Sequence, residues 1–432
     1  MRYAAALVAC PGELPPKGTY TDPASLFAAL RPKTEGALVP VRLLRSSWIK
    51  ARAARLRAAT SEEERRRLAL PRRQALERDE PSAFLSVDEM EALPRHDEVL
   101  GGQLALGASS YCWLTGAAGG ARTHAADAWE AHRHPPSLAA AAHPDPLGEQ
   151  LVSLAAAIER AEAEKNDIHG THDGFPSEAG FFIDFASIHQ KDAAGERTPE
   201  ERAAFAEALS TMQLWYAHTL TTAFLTRALP DGYDGLPGYA ERGWTTCESS
   251  WAALAKESSA FCWAPIWDVA GGAAYRRPPP MAPAAMARLV ASRRFTSKKG
   301  DLPLVIEINT RTILSLFRDV ERLLYMDLGW GDAEAAQLCE MLPLCASLKG
   351  LSLHANTIGD AGAAALAGAI SGGALQTLEW LGLQRSPIGA AGQAALAAAI
   401  RGGGLGRLEV LAIGSPSAEL RAACEGRGIK VW

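Results

Sequence analysis

The last quarter of this 432-residue chain contains a repeat with a spacing of 30 residues. The pattern Leu-x-x-Leu-x-Leu occupies residues 348–353 and 378–383, and a third copy at residues 408–413 ends in isoleucine. The segments after the first two copies also match, because residues 358–362 (IGDAG) and 388–392 (IGAAG) differ at one position. A repeat of this length predicts one strand and one helix per unit, and stacking of neighbouring units buries their apolar sides.

These units resemble the leucine-rich repeat, in the long form found in ribonuclease inhibitor and in NLR sensor proteins. Asn356 fills the asparagine position of that repeat in one unit, and Ser386 replaces it in the next. The resemblance implies a short leucine-rich repeat arc over residues 323–432 that binds a protein partner.

The composition is that of a globular protein and argues against several classes of partner and location. Hydrophobic residues make up 48% and charged residues 22%, as in ordinary globular chains. The charge sum of −5 (44 − 49) favours neither nucleic acid nor membrane as a partner, and no apolar run reaches the roughly 18 residues of a membrane span. Seven scattered cysteines without a Cys-x-x-Cys pair, and an apolar start at residues 4–9 that is too short for a signal peptide, favour a cytoplasmic location.

The sequence predicts four regions. They are a basic helical region (residues 1–100), an α/β domain (101–275), a linking helical segment (276–322) and the repeats (323–432). Inside the α/β domain, residues 115–142 are rich in glycine and alanine, which predicts an inserted loop. Short apolar strands at residues 104–111, 180–185 and 219–226 alternate with helices. This alternation predicts a parallel sheet with helices on both faces.

Polar caps mark the helix starts in the α/β domain. Thr198 precedes Glu201 by three residues, which is the spacing of a capping box. Asp145 is followed by a proline and caps another predicted helix. The apolar residues of that helix recur at helical spacing: Leu147, Leu151, Leu154 and Ile158.

Four segments of the α/β domain occur in the same order as the motifs of a known domain family. They are residues 108–113 (ASSYCW), 182–190 (FIDFASIHQ), 212–217 (MQLWYA) and 242–248 (RGWTTCE). The first, second and fourth resemble the LSYxWG, WIDxxCIxQ and RxWTxQE motifs of the fungal heterokaryon-incompatibility (HET) domain, and the third resembles the helix that follows the second motif. HET domains are similar to TIR domains, so the resemblance implies a flavodoxin-like parallel-sheet domain of the TIR/HET type.

Glu248 is the candidate catalytic residue. On a helix it shares one face with Trp244 and Trp251, and a carboxyl between two tryptophans is partly desolvated. Desolvation raises its pKa unless a cation such as Arg242 compensates. Two interpretations stay open: a perturbed carboxyl in a functional cleft, or a buried Glu248–Arg242 pair that only anchors a loop. Trp244 and Glu248 also keep the Trp-x-x-x-Glu spacing of TIR domains.

The TIR resemblance implies cleavage of NAD to nicotinamide and ADP-ribose, with NAD as substrate and no resident cofactor. A carboxylate stabilises the oxocarbenium character that develops on the ribose during this reaction. The candidate nucleotide-binding residues are Ser110, Tyr111, Trp113, Asp184, Gln190 and Trp244. TIR-like enzymes commonly need self-association to complete the site, so we expect a weakly active monomer.

The sequence thus predicts a signalling or defence protein in which the repeats bind a partner and the α/β domain is the effector. The alternative is a catalytically inactive adaptor in which both parts bind proteins. No metal site is predicted, because the clustered histidines lie in glycine-rich, loop-like sequence: His124, His132, His134, His143, His169 and His172.

Overall fold

The structure is a computed structural model of the chain. It describes residues 13–93, 104–114, 143–164, 175–233, 236–258, 264–271, 275–295 and 297–432. The predicted loop at residues 115–142, the apolar start at residues 4–9 and every candidate histidine except His143 lie outside these ranges.

Strands and helices alternate through most of the described chain. The strands are β1 (Leu43–Arg45), β2 (Phe84–Leu85), β3 (Leu106–Tyr111), β4 (Gly180–Phe182), β5 (Thr222–Thr226), β6 (Ile266–Asp268), β7 (Arg322–Leu324), β8 (Gly350–Ser352), β9 (Trp380–Gly382), β10 (Val410–Ala412) and β11 (Lys430–Val431). The α-helices are α1 (Pro23–Ala29), α2 (Ser46–Ala58), α3 (Glu62–Leu68), α4 (Arg73–Asp79), α5 (Val87–Glu91), α6 (Glu149–Ala163), α7 (Asp184–Ser187), α8 (Pro199–Ala217), α9 (Gly243–Ala253), α10 (Pro283–Ala291), α11 (Lys298–Asp319), α12 (Asp332–Cys339), α13 (Asp360–Ser371), α14 (Ala390–Arg401) and α15 (Ala418–Glu425).

The first sheet has six strands in the order β2-β1-β4-β3-β5-β6. Strands β3 to β6 are parallel, whereas β1 is antiparallel to both β4 and β2. The predicted α/β class is confirmed, but the expectation of a parallel sheet needs correction, because the sheet is mixed. Residues before 100, predicted as helical, supply β1 and β2, and strands of three and two residues are too short to show a period of two.

The core lies on both faces of this sheet. Successive side chains of a strand point to opposite faces, so Phe181 and Phe182 of β4 enter different layers. Phe181 packs against Phe224 with ring centroids 5.3 Å apart, and Phe182 stacks on Trp215 of α8 at 5.6 Å. The Phe181 ring also crosses β3 so closely that a Cβ at Gly107 would lie 2.4 Å from it, and this position therefore requires glycine.

The second sheet is formed by the repeats. Its five strands are parallel and lie in chain order, β11-β10-β9-β8-β7. Each 30-residue unit supplies one strand and one helix, as the repeat spacing predicts. The membership of these units in the leucine-rich repeat family remains a prediction.

Asn356 ties two neighbouring units together. Its Oδ1 accepts hydrogen bonds from the backbone N–H groups of Leu328 and Trp330, both at 3.1 Å. Its Nδ2 donates to the carbonyl oxygens of Tyr325 at 2.7 Å and Leu353 at 2.9 Å. The side chain is 3% exposed, so these bonds replace the water that the buried backbone groups have lost.

Arg277 joins the first sheet to the repeats. Its guanidinium donates to the carbonyl oxygen of Ala253, from Nη2 at 2.7 Å, and lies 4.7 Å from the ring centroid of Tyr325. Tyr325 donates its hydroxyl to the carbonyl of Leu254, and Trp330 Nε1 donates to the carbonyl of Arg277 at 2.8 Å. The end of α9 and the first repeat therefore share one buried junction.

Candidate functional site

The candidate residues gather at the carboxyl edge of the parallel strands. Tyr111 ends β3, Thr226 ends β5, and Asp184 begins α7 just after β4. In the sheet, β4 lies on one side of β3, and β5 and β6 lie on the other. The connection from β3 to β4 and the connection from β5 to β6 therefore run in opposite directions, and the reversal falls between β3 and β5. Open α/β sheets bind ligands in the crevice at such a reversal.

Glu248 ends a chain of three buried hydrogen-bonding groups. Ser110 Oγ donates to Glu248 Oε2 at 2.5 Å, and the Tyr239 hydroxyl lies 2.5 Å from the same Ser110 oxygen. Either hydroxyl can donate in the second bond, because each carries one hydrogen and two lone pairs. Sequence reasoning missed Tyr239, which lies in the glycine- and proline-rich turn before α9 and carries no motif of its own.

Glu248 is buried, and among the described residues no cation forms an ion pair with it. Its side chain is 9% exposed, and burial raises its pKa from 4.5 to about 8. The neighbouring carboxyl of Asp184 raises the pKa as well, whereas the Ser110 hydrogen bond lowers it. Arg242 directs its Nε to the carbonyl of Pro237 at 2.9 Å, and no ion pair in the described part of the chain joins Arg242 to Glu248. The anchoring Glu248–Arg242 pair is therefore not formed, and Glu248 is mostly protonated at neutral pH.

Asp184 organises a second group at the same edge. The Tyr111 hydroxyl donates to its Oδ1 at 2.8 Å, and Trp113 Nε1 donates to its Oδ2 at 3.4 Å. The N–H of Phe185 adds a third bond at 2.6 Å. Burial raises the pKa of Asp184, and these hydrogen bonds oppose that rise. Three of the predicted nucleotide-binding residues are thus brought together around one carboxyl group.

Gln190 and Trp244 make their hydrogen bonds elsewhere. Gln190 Nε2 donates to the carbonyl oxygens of Asp184 at 3.2 Å and Ile188 at 3.1 Å, so it fastens the loop after α7. Trp244 is half-buried, and its Nε1 donates to Asp301 on α11 at 3.3 Å. The helical face predicted to hold Trp244 and Glu248 together is therefore divided, because the tryptophan meets α11 while the carboxyl meets β3.

A cavity of about 20 Å³ lies beside β3 at this edge. It is lined by Leu70, Ser109, Tyr111, Asp145, Gln150, Leu151, Leu154, Ile183 and Thr226. Neither Glu248 nor Ser110 is among the lining residues, since side chains at 109 and 111 face the opposite side of the sheet from the one at 110. A volume of this size holds about one water molecule, whereas pockets for small organic ligands take roughly 300 Å³ or more.

The described part of the chain contains neither a metal-binding cluster nor a membrane-spanning helix. There, no group of three or more histidine, cysteine, aspartate or glutamate side chains is arranged to hold a metal ion. In the same residues, no helix combines the length and the apolar character needed to cross a membrane.

Comparison with known proteins adds no assignment. No model of a known protein family matches the chain, and no curated protein sequence is similar enough to count as a relative. The HET, TIR and leucine-rich repeat resemblances therefore rest on the motifs of this sequence.

Proposed function

We propose that the protein is a cytoplasmic signalling or defence protein whose first sheet domain, of the TIR/HET type, cleaves NAD to nicotinamide and ADP-ribose. Glu248 is the catalytic carboxylate in this proposal, and the leucine-rich repeats bind a protein partner that controls the reaction. One observation supports it above the others: Glu248 is buried at the carboxyl edge of β3, and no residue that the structure describes forms an ion pair with it. Buried carboxyls with a strongly raised pKa are frequent at functional sites.

The reaction requires a second conformation of the site. In the arrangement described above, Ser110 occupies Glu248 Oε2, and the neighbouring cavity is far smaller than a nucleotide. Opening the Ser110–Glu248 contact admits water to the carboxyl and lowers its pKa towards the usual range. The ionised carboxylate then stabilises the positive charge that develops on the ribose. Self-association or partner binding supplies the free energy for this opening.

The test is release of nicotinamide from NAD by the purified full chain, at high protein concentration and with a crowding agent. We expect release by the wild type and a loss of at least about 100-fold in Glu248→Gln, the range that one electrostatic catalytic group supplies. Glu241→Gln is the matched control, because Glu241 lies in the exposed turn before α9 and its carboxyl accepts a hydrogen bond from the backbone N–H of Gly238, which a glutamine oxygen can also accept. This variant should keep wild-type activity.

Absence of release under every self-associating condition contradicts the enzymatic proposal. Equal release by wild type and Glu248→Gln contradicts the role of Glu248. The closed site and the small cavity favour the adaptor function in the first case, with the repeats and the sheet domain as protein-binding surfaces.

A further inference from the structure

Five positively charged side chains lie close together beside the start of α9 and form the basic patch: Arg288, Arg293, Arg294, Lys298 and Lys299. Arg288 lies in the last turn of α10, the two neighbouring arginines follow α10, and the lysines begin α11. Four of the five residues are exposed, and Arg293 is half-buried. Among the described residues, the Nε atom of Arg293 has no hydrogen-bond partner. The proposed reaction uses none of these five side chains.

Hydrogen bonds hold the basic patch around the connection between α10 and α11. Lys298 Nζ donates to the carbonyl oxygen of Ala291, the last residue of α10, at 2.9 Å. The N–H of Arg294 donates to the carbonyl of Glu241 at 2.8 Å, and the Arg294 carbonyl accepts the N–H of Gly243 at 2.9 Å. The five charges are therefore held near one another, next to the start of α9.

The basic patch makes no ion pair with any residue that the structure describes. The ion pairs nearest to it along the described chain are Arg276–Glu334 before it, at 3.2 Å, and Arg311–Glu307 after it, at 3.6 Å. Residues 288–299 contain no aspartate or glutamate. Like charges that lie close together repel each other, and a partner that brings negative charge relieves this repulsion.

The basic surface of α3 has a different arrangement. There Arg66 pairs with Glu62 at 2.9 Å, and Arg67 pairs with Glu63, each pair being four residues apart on the helix. These arginines are exposed, as most of the basic patch is, but carboxylates of their own helix compensate their charge. The contrast indicates that the basic patch is available to an external anion, whereas the arginines of α3 already have their counter-ions.

The composition of the basic patch favours the phosphate groups of a polyanion. Three of its five cations are guanidinium groups, which bind phosphate through two parallel hydrogen bonds. The exposed large hydrophobic side chains of the described residues are Leu38 and Trp432, both outside the patch, so it offers no anchor for a lipid bilayer. Phe295, the aromatic residue within the patch, packs on Gly243. Recognition therefore depends on charge and not on stacking with bases.

We propose that the basic patch binds the phosphate backbone of a nucleic acid without preference for base sequence. The backbone places several negative charges in a row, which matches a surface with several cations and no counter-ions. The net charge of −5 does not oppose this binding, because charges more than about 10 Å away are largely screened at physiological salt. The proposal is independent of NAD cleavage.

The experiment measures the fluorescence anisotropy of a labelled oligothymidylate of about 20 nucleotides during titration with the full chain. We expect saturable binding at about 50 mM salt and a Kd that rises about 100-fold at about 200 mM, because neutralisation of about five phosphates on a single strand gives a log–log slope of about −3.5. A strand of the same length and mixed sequence should bind with the same affinity.

Two double variants locate the binding. Arg294→Gln combined with Lys299→Gln removes two exposed charges of the basic patch, so this variant should fold. It should weaken binding by at least about 10-fold at low salt and reduce the slope by about 1.4. Arg66→Gln combined with Arg67→Gln removes the same charge from the exposed surface of α3 and is the matched control. The control should bind like the wild type.

Four results overturn the proposal. Absence of binding at low salt shows that the basic patch is a solvated surface. Equal affinity for polyglutamate of similar length assigns the patch to an acidic protein partner, and equal affinity for phosphatidylserine vesicles assigns it to a membrane surface. An equal loss in both double variants shows that the net charge of the chain, and not the basic patch, governs binding.

Discussion

The proposed reaction depends on the protonation state of one residue, Glu248. Burial favours the neutral carboxyl, and Ser110 donates a hydrogen bond that partly offsets this preference. The neutral group is compatible with a closed site, whereas stabilisation of an oxocarbenium ion requires the ionised form. The same carboxyl therefore links the opening of the site to its chemistry.

The raised pKa of Glu248 predicts a pH dependence of folding. Between its unfolded value near 4.5 and its folded value of about 8, the folded state holds one proton more than the unfolded state. The free energy of unfolding therefore falls as pH rises through this window, by up to about 1.4 kcal/mol per pH unit from this group. Below the window the contribution is fully present.

Urea denaturation of wild type and Glu248→Gln at pH 5, 6.5 and 8 checks this dependence. The glutamine keeps an oxygen for Ser110 and cannot ionise, so its stability should fall less steeply than that of the wild type. Glu241→Gln should follow the wild-type profile. Parallel profiles for wild type and Glu248→Gln would show that the carboxyl is ionised in the folded state.

Among the secondary-structure elements, the repeats depend on polar ties between units as well as on their leucines. Asn356 satisfies four backbone groups on two units, and Ser386 occupies the equivalent position one unit later. The Ser386 hydroxyl donates one long hydrogen bond, to the carbonyl of Leu353 at 3.5 Å. The turn at Asn356 is therefore the better secured of the two.

Substitution of Asn356 tests this difference. Asn356→Ala removes the acceptor of the buried Trp330 N–H and of the partly buried Leu328 N–H, so we expect a loss of about 3 kcal/mol in the free energy of unfolding. Ser386→Ala is the matched change and should cost less than about 1 kcal/mol. Chemical denaturation measures both, and similar losses would contradict the bridging role of Asn356.

For the whole molecule, the main consequence is that the two sheets share one continuous hydrophobic core. One cluster of buried side chains includes Phe182 of the first sheet, Trp251 and Phe317 of the helices, and the leucines of the repeats. Arg277 lies at this junction. Its guanidinium donates hydrogen bonds to the carbonyl of Ala253, the last residue of α9, which is the helix that carries Glu248. The first repeat and the helix that carries Glu248 are therefore joined by packed residues.

Removal of Arg277 should uncouple the two parts. Arg277→Ala leaves the carbonyls of Ala253 and Lys256 without donors, at a cost of about 3 kcal/mol to the junction. We expect one unfolding transition in the wild type and two in the variant, measured by circular dichroism during denaturation. Arg276→Ala is the control, since Arg276 is 74% exposed and its ion pair with Glu334 contributes less than about 1 kcal/mol. A single transition in Arg277→Ala contradicts the coupling.

Local patterns in the sequence were enough to predict several features of the structure. The capping box of Thr198 and Glu201 begins α8 in the structure, and the 30-residue repeat yields one strand and one helix per unit. These two features were predictable because neighbouring residues produce them, through helical period and side-chain capping. The helix predicted to begin directly after Asp145 begins at Glu149 instead, with Gly148 as its N-cap, although the Asp145 carboxyl still accepts the N–H of Leu151 in α6.

Long-range contacts decided the rest. The strands β1 and β2 exist because β4 offers a free edge to pair with, and their own few residues have no readable period. The chain from Tyr239 through Ser110 to Glu248, and the small cavity beside β3, unite residues that are far apart in sequence. Hydrogen bonds and burial at these sites depend on how the layers pack, and no periodicity within a single segment encodes that packing.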